Sequence, residues 1–503
     1  MMKLKTTRIA ALICLIYGTQ SWAADATTQA NSAARQAQDA ATQVEALKQA
    51  LAQAQTAAAQ AQEAAAQAQA AAVQAQASAV PAAGPANTSA ANQSAVGTVT
   101  SNGYFRAGFG EAGKGGSMEC FGVGYAKFRF GNECDAYARI GLHSPIYNQS
   151  NGAVWSAHAS LLATAPYSDW GGNKISFAEM YTDVARWGDG PLKGASLWVG
   201  RRYYDRPDIY LLDYKYQQGD GDGGGIENVD TGWAGSKFSY ALIRPRDGNN
   251  NGRTWLENLF KLSGLKAGPG AFTFNAGLTA GWKSDDTTMA QTDASGNTVL
   301  TTTPTKSTAS GWYLSALYKH PVADWGNNTV GIQYGRGANA NGNFGQVLQN
   351  ATASDATFQI FSTAALDIPN SKWTALAAVV YRQDQYKYAN NGDDKWFSAG
   401  LHPQYHFNDM FGLATDFGYQ SYKPDSTGKT ETLGKATVAL TAAAGRSALA
   451  RPEMRVFYTY ARWNDAARND RNNFMNQANG KTQSVDANAT NGSSFGVQVE
   501  SWW

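Results

Sequence analysis

The chain is 503 residues long, with 12% aromatic residues, 52 glycines, 16% charged residues and a formal net charge of +2. So small an excess of charge argues against nucleic acid or an anionic membrane surface as a partner. So many glycines and aromatics beside so few charges are unusual for a water-soluble protein of this size.

Lys3, Lys5 and Arg8 precede a short apolar run, Ile9 to Tyr17, and Ser21-Trp22-Ala23 places small residues where a signal peptidase reads. The run is well short of the ~20 residues that span a bilayer, so residues 1–23 are expected to be a secretory leader cleaved after Ala23. Its loss takes the 41 Lys and Arg to 38, against 39 Asp and Glu. Cys14 leaves with it. The remaining Cys120 and Cys134, in an oxidising compartment, favour one short-loop disulfide over two free thiols. No CxxC or Cys/His spacing points to a metal or cofactor, and none is expected.

Residues 24–80 are mostly Ala and Gln, without Gly, Pro or aromatics. With Ala37 at position a, the a sites include Val44, Leu51 and Ala58 and the d sites Ala40, Leu47 and Ala54. Over about six heptads no Gln falls on the seam, which predicts an α-helical coiled coil. A single Ala-rich helix or a spacer is the alternative. Pro81 and Pro85 stop the helix, and 81–101 reads as a flexible linker.

From Asn102 the period becomes two. Tyr104 and Arg106 lie on one face and Phe105 and Phe109 on the other, and Lys127 and Arg129 alternate with Phe128 and Phe130. Further alternating runs lie at Ser196–Tyr203, Phe272–Trp282, Gly311–Tyr318, Thr329–Tyr334, Thr374–Tyr381, Gly434–Ala442 and Met454–Arg462. Gly219–Gly225 and Asp247–Gly252 read as loops between them. Charges alternating with aromatics do not suit a dry sandwich core. They suit a transmembrane antiparallel all-β barrel with a wet interior and an apolar outside, spanning 102–503. In the last run Phe495, Val497, Val499, Ser501 and Trp503 share one face, which places Gln498, Glu500 and Trp502 on the other. If Trp503 meets lipid, Trp502 faces the lumen, where a membrane anchor has no use.

From Asn102 to Trp503 the chain resembles the maltoporin family of sugar-specific outer-membrane porins. The resemblance rests on Gly103-Tyr104-Phe105-Arg106-Ala107-Gly108, Phe130-Gly131-Asn132-Glu133-Cys134 and Leu197-Trp198-Val199-Gly200-Arg201-Arg202-Tyr203-Tyr204. Gly225-Ile226-Glu227-Asn228, Arg451-Pro452-Glu453-Met454-Arg455-Val456-Phe457 and the closing Glu500-Ser501-Trp502-Trp503 add to it. The N-terminal extension is similar to that of the sucrose porin branch. The resemblance implies about 18 strands, a homotrimer in outer-membrane lipid, a third extracellular loop (Tyr204–Gly225) folded inward, and a disulfide Cys120–Cys134 in the first. It also implies a row of lumenal aromatics along which oligosaccharides slide.

On that resemblance Tyr104, Tyr137, Trp170 and Trp502 fall on slide positions, Trp170 reaching over from a neighbouring subunit. Trp325, in Asp324-Trp325-Gly326, stands for another, and Leu449 occupies a slide position that is aromatic in the family. Arg106, Arg129, Arg206 and Asp213 match charged positions of the constriction. This chain departs from the pattern at Arg139, where maltoporins have a Glu, at Tyr210, which replaces a His, and at Lys215, which replaces the Tyr that pinches the channel. Ser176 and Gln218 also differ, and Leu212-Asp213-Tyr214-Lys215 looks closer to the β-glucoside branch.

The expected function is passive diffusion of di- and trisaccharides across the outer membrane, with the extension in the periplasm. A general diffusion porin, whose coiled coil is a spacer or cell-wall contact, is the second reading. A barrel enzyme is disfavoured, because His143, His158, His320, His402 and His406 carry no flanking GxSxG or HExxH.

Overall fold

The computed structural model describes residues 99–166, 174–245, 256–283, 287–292, 298–303, 307–348, 350–387, 391–469 and 489–503. The expected leader (1–23), coiled coil (24–80), nearly all of the linker, and Trp170 lie outside the described residues, as does Asp247–Gly252. Among the described residues no helix is long and apolar enough to cross a membrane.

An 18-stranded sheet closes on itself. Its strands are β1 Thr100–Ala112, β2 Asp135–Asn148, β3 Val154–Pro166, β4 Lys174–Ala185, β5 Ser196–Tyr204 and β6 Gly219–Asp230. Next come β7 Lys237–Pro245, β8 Glu257–Ala267, β9 Gly270–Thr279, β10 Gly311–Val322, β11 Gly326–Arg336 and β12 Ala356–Asp367. The ring ends with β13 Trp373–Tyr386, β14 Asn391–His406, β15 Phe411–Lys423, β16 Glu431–Ala443, β17 Glu453–Trp463 and β18 Asn491–Trp502. Each strand is antiparallel to the next, and β18 returns to β1 with Tyr104 opposite Trp502. Closure leaves no unpaired edge, which the hydrocarbon of a bilayer would not tolerate.

The alternation has the sense expected of a membrane wall. Along β17 Met454, Val456, Tyr458 and Tyr460 point outward and are exposed, while Glu453, Arg455, Phe457 and Thr459 point inward and are buried. The charged face is thus the inner one, the reverse of a protein folded in water.

Two expected elements come out differently. Gly219–Gly225 is the start of β6. Its glycines are needed where neighbouring chains press close: a Cβ on Gly221 would stand 2.0 Å from the Arg244 carbonyl oxygen, and one on Gly225 3.0 Å from Trp198 Nε1. Lys127–Phe130 is not a strand but part of the loop between β1 and β2, whose two faces meet different walls of the lumen.

That loop and the one between β5 and β6 both fold into the barrel. In the first, Phe128 lies on Gly400 and Gly418, and its ring atoms sit 2.0 and 2.1 Å from where Cβ atoms there would be. Phe121 stacks on Trp463 at 6.0 Å and Phe130 meets His402 at 4.4 Å. Asn132 binds the loop internally, its amide donating to the carbonyls of Phe121 at 2.7 Å and Phe128 at 2.8 Å. The Cys120–Cys134 disulfide closes its base. In the second loop Ile209, Leu211, Leu212, Tyr214 and Tyr216 are buried against the inner wall. Burial of Ile209, Leu211 and Leu212 stabilises the inward position by about 1.5–3 kcal/mol each. The loop between β11 and β12 supports it: the Gln218 backbone N–H donates to the Phe344 carbonyl at 2.6 Å, and the Gln346 side-chain amide donates to the Gln218 backbone carbonyl at 2.7 Å.

Replacing Gly400 with Leu should expel Phe128 from its seat. Overpacking of this kind costs about 1–3 kcal/mol, read as a lower unfolding temperature together with a larger single-channel conductance as the first loop withdraws. Unchanged values of both would show that Phe128 is not what holds the loop.

Candidate functional site

Strand alternation delivers Glu500 to the lumen, where it is buried. One carboxylate oxygen accepts from the Tyr104 hydroxyl at 2.9 Å and lies 2.8 Å from Arg129 Nη2. The other lies 2.8 Å from Arg455 Nη2 and 3.1 Å from Arg451 Nη2, and accepts from the Tyr210 hydroxyl. These partners come from β1, from both inward loops, from β17 and from the turn before it. A second buried carboxylate, Glu133, takes Lys127 Nζ at 2.5 Å, Arg129 Nε at 3.2 Å and Arg106 Nη1 at 3.6 Å. Arg106 also reaches Asp135 at 2.8 Å and Asp213 at 3.6 Å, and Lys215 Nζ stands 3.8 Å from Asp213. Asp135, Asp213 and Lys215 keep about a quarter of their side-chain surface open, at 26%, 28% and 27%.

Burial alone would push the Asp213 carboxyl up, but Arg129, Lys215 and Arg106 outweigh it and hold it at about 2. Glu133 is held below the usual carboxylate range in the same way, by Arg106, Lys127 and Arg129 acting against its burial. The positive side responds in kind: burial disfavours the Arg129 charge, and Glu500 and other neighbours more than restore it.

Beside this network lies a row of half-buried rings on adjacent strands. Tyr137 on β2 meets Tyr104 on β1 edge to face at 5.7 Å, and Tyr104 stacks on Trp502 of β18 at 6.4 Å. Tyr210 from the inward loop abuts Trp502 at 5.7 Å, and the Arg451 guanidinium lies 4.7 Å from the Trp502 ring centre.

A family model described as LamB porin matches residues 99–503. The chain belongs to the LamB porin family. It is therefore an outer-membrane channel, and the charged lumen is its conduit. Among solved structures it is similar to OpdQ of Pseudomonas aeruginosa, at 9% identity over 80% of this chain and 98% of that one, with a TM-score of 0.44. It is similar also to the outer membrane channel DcaP of Acinetobacter baumannii, at 10% identity over 80% and 96%, with a TM-score of 0.44. An anion-selective porin from Comamonas acidovorans matches at 13% identity over 80% and 99%, with a TM-score of 0.40. Overlaps this loose add nothing further about this porin.

The structure brings together Tyr104, Tyr137, Trp502, Arg106, Arg129, Tyr210, Asp213 and Lys215. Arg139 and Arg206 stand at the margin: Arg139 is bound to Glu179 at 2.5 Å, and Arg206 lies 3.2 Å from Asp220 and 4.1 Å from the centre of the Tyr203 ring. Trp325 sits exposed in the short turn between β10 and β11, and Leu449 half-buried in the turn between β16 and β17. Neither makes a ring contact with the row among the described residues. The candidate residues missed from sequence are Glu500, Glu133, Asp135, Arg451 and Arg455. The parity of the last strand, which puts Glu500 on the face of Trp502, was the available signal for the first.

Replacing Glu500 with Gln leaves Arg129, Arg451 and Arg455 short of a buried counter-charge, at a cost of about 3–5 kcal/mol. A lower unfolding temperature and a shift of the reversal potential toward anions are expected. Asp213 supplies a pH test. Because its folded value lies below the usual ~3.9, its charge and its contribution to stability are present at neutral pH and lost only as pH falls through about 2. The difference in ion selectivity between wild type and Asp213→Asn should thus persist down to about pH 4. Its disappearance well above that would contradict the pairing.

Proposed function

We propose that this porin passes di- and trisaccharides by facilitated diffusion, as a homotrimer, along the Tyr137–Tyr104–Trp502 row. The observation that carries the reading is that three half-buried rings on consecutive strands lie directly beside a constriction lined by Arg106, Asp135, Asp213 and Lys215. A pyranose has apolar C–H faces and a polar rim. Aromatic rings stack on the faces, and carboxylates and guanidinium groups bind the hydroxyls. Several weak contacts in a row let a sugar enter and also leave. Trp170 of a neighbouring subunit and Trp325 would extend the path. Leu449 in place of a ring, with Arg139, Tyr210 and Lys215 changed at the rim, favours a sugar other than a plain maltodextrin. The lumenal position of Trp502, where it has no anchoring use, favours this reading over a general diffusion pore with the N-terminal segment as a periplasmic spacer.

Sugar block of ion current decides between them. A panel of sucrose, maltose-type sugars and β-glucosides should include at least one that closes the purified channel in a saturable way. Trp502→Ala and Tyr104→Ala should each weaken that block by roughly tenfold, the scale of about 0.5–1.5 kcal/mol for ring contacts plus lost burial. Current unchanged across the whole panel would leave the general diffusion reading.

A further inference from the structure

The outer wall carries an arrangement that conduction does not use. On β14 and β15 two lysines of like charge, Lys395 and Lys423, stand directly opposite each other on the outward face. Directly opposed side chains have Cβ atoms about 4.5–5.5 Å apart, and like charges there destabilise the pair. Among the described residues neither lysine makes a salt bridge. Two acids lie near that end, Asp393 two residues from Lys395 and Asp425 two residues beyond Lys423, and among the described residues neither bridges either lysine. Immediately below the pair comes a band of rings, Tyr381, Phe397 and Tyr419, the level at which aromatics mark the border of hydrocarbon and headgroups.

Below the rings the wall is hollowed. Ala399, Gly434 and Ala436 leave an apolar recess of about 750 Å³ framed by Phe417, Tyr419 and Tyr460. Small residues sit at its floor and large ones at its edge, so the shape is set by side-chain size. Lys395 is four residues beyond Ala399 on the same face, and Lys423 four beyond Tyr419, about 13 Å along each strand. Arg462, exposed on β17 and opposite Gly434, adds a further cation at the rim of the recess.

We infer that this face of β12–β17 is a binding site for a phosphorylated lipid of the outer leaflet, its acyl chains in the recess and its phosphate on Lys395 and Lys423. A paired ammonium site at headgroup level has the charge and spacing for a phosphate. The recess below it gives the chains a fixed place instead of a smooth wall. Opposed lysines, costly to the strand pair alone, are satisfied once the anion is bound.

The test uses the purified full-length assembly, titrated with bis-phosphorylated lipid A, with the same lipid stripped of its phosphates, and with inorganic phosphate, bound adducts being read by native mass spectrometry. The phosphorylated lipid should bind. Lys395→Gln with Lys423→Gln should weaken it by about tenfold, and Ala436→Trp should weaken it without altering any charge. Ion conductance should stay at the wild-type level in both, since these residues face away from the lumen. Equal binding of the phosphate-free lipid, no effect of the double substitution, or displacement of the lipid by equimolar inorganic phosphate would overturn the proposal. Retention by the double variant with loss only in Ala436→Trp would overturn the phosphate half of it.

Discussion

A carboxylate buried inside a barrel must be met by cations, and Glu500 is met by Arg129, Arg451 and Arg455 with two tyrosine hydroxyls filling its remaining acceptor sites. Because Arg129 belongs to the first inward loop and Tyr210 to the second, one side chain of the last strand fixes both loops against the strands that close the barrel. The width of the lumen follows from that. Glu133 repeats the device one step away, and Arg106, shared between Glu133, Asp135 and Asp213, joins the two. An ion network of this kind holds position well because removing any member strands its partners.

Apolar packing explains why the loops come inward at all. An 18-stranded ring is too wide for wall side chains to fill, so something else must. Phe121, Phe128 and Phe130 of one loop, and Leu211, Leu212, Tyr214 and Tyr216 of the other, bury themselves on inner-wall positions kept small by Gly400, Gly418, Ala378 and Ala414. Arg382 joins the two loops to the wall, lying 3.7 Å from the Tyr125 ring centre and donating to the Tyr214 hydroxyl at 3.2 Å. What remains open is a charged passage with Tyr137, Tyr104 and Trp502 along one side. The conduit is thus a leftover of the packing, placed by where the loops cannot reach.

The outer wall obeys a different solvent. Its exposed Val, Leu, Ile and aromatic residues are stable only against lipid, and the same alternation that puts Arg455 inside puts Val456 outside. Departures from that apolar pattern, such as Lys395 opposite Lys423, therefore stand out as clearly as a buried charge does in a soluble core.

Much of this was legible in one dimension. Period-two alternation and the closing Phe495–Trp503 run determine a barrel, and parity alone turns Trp502 and Tyr104 inward, because a strand offers each residue only two directions. The same rule misread Lys127–Phe130 as a strand, since a loop that packs on two walls alternates as a strand does. Gly219–Gly225 misled the other way: its composition is that of a loop, while the need for it lies in the chains that crowd it. That the first loop enters beside the expected one, and which carboxylate collects the arginines, were decided only in three dimensions. Those outcomes depend on contacts between residues hundreds of positions apart, such as Tyr104 with Glu500, and no local pattern encodes which distant strand will close the ring beside β1.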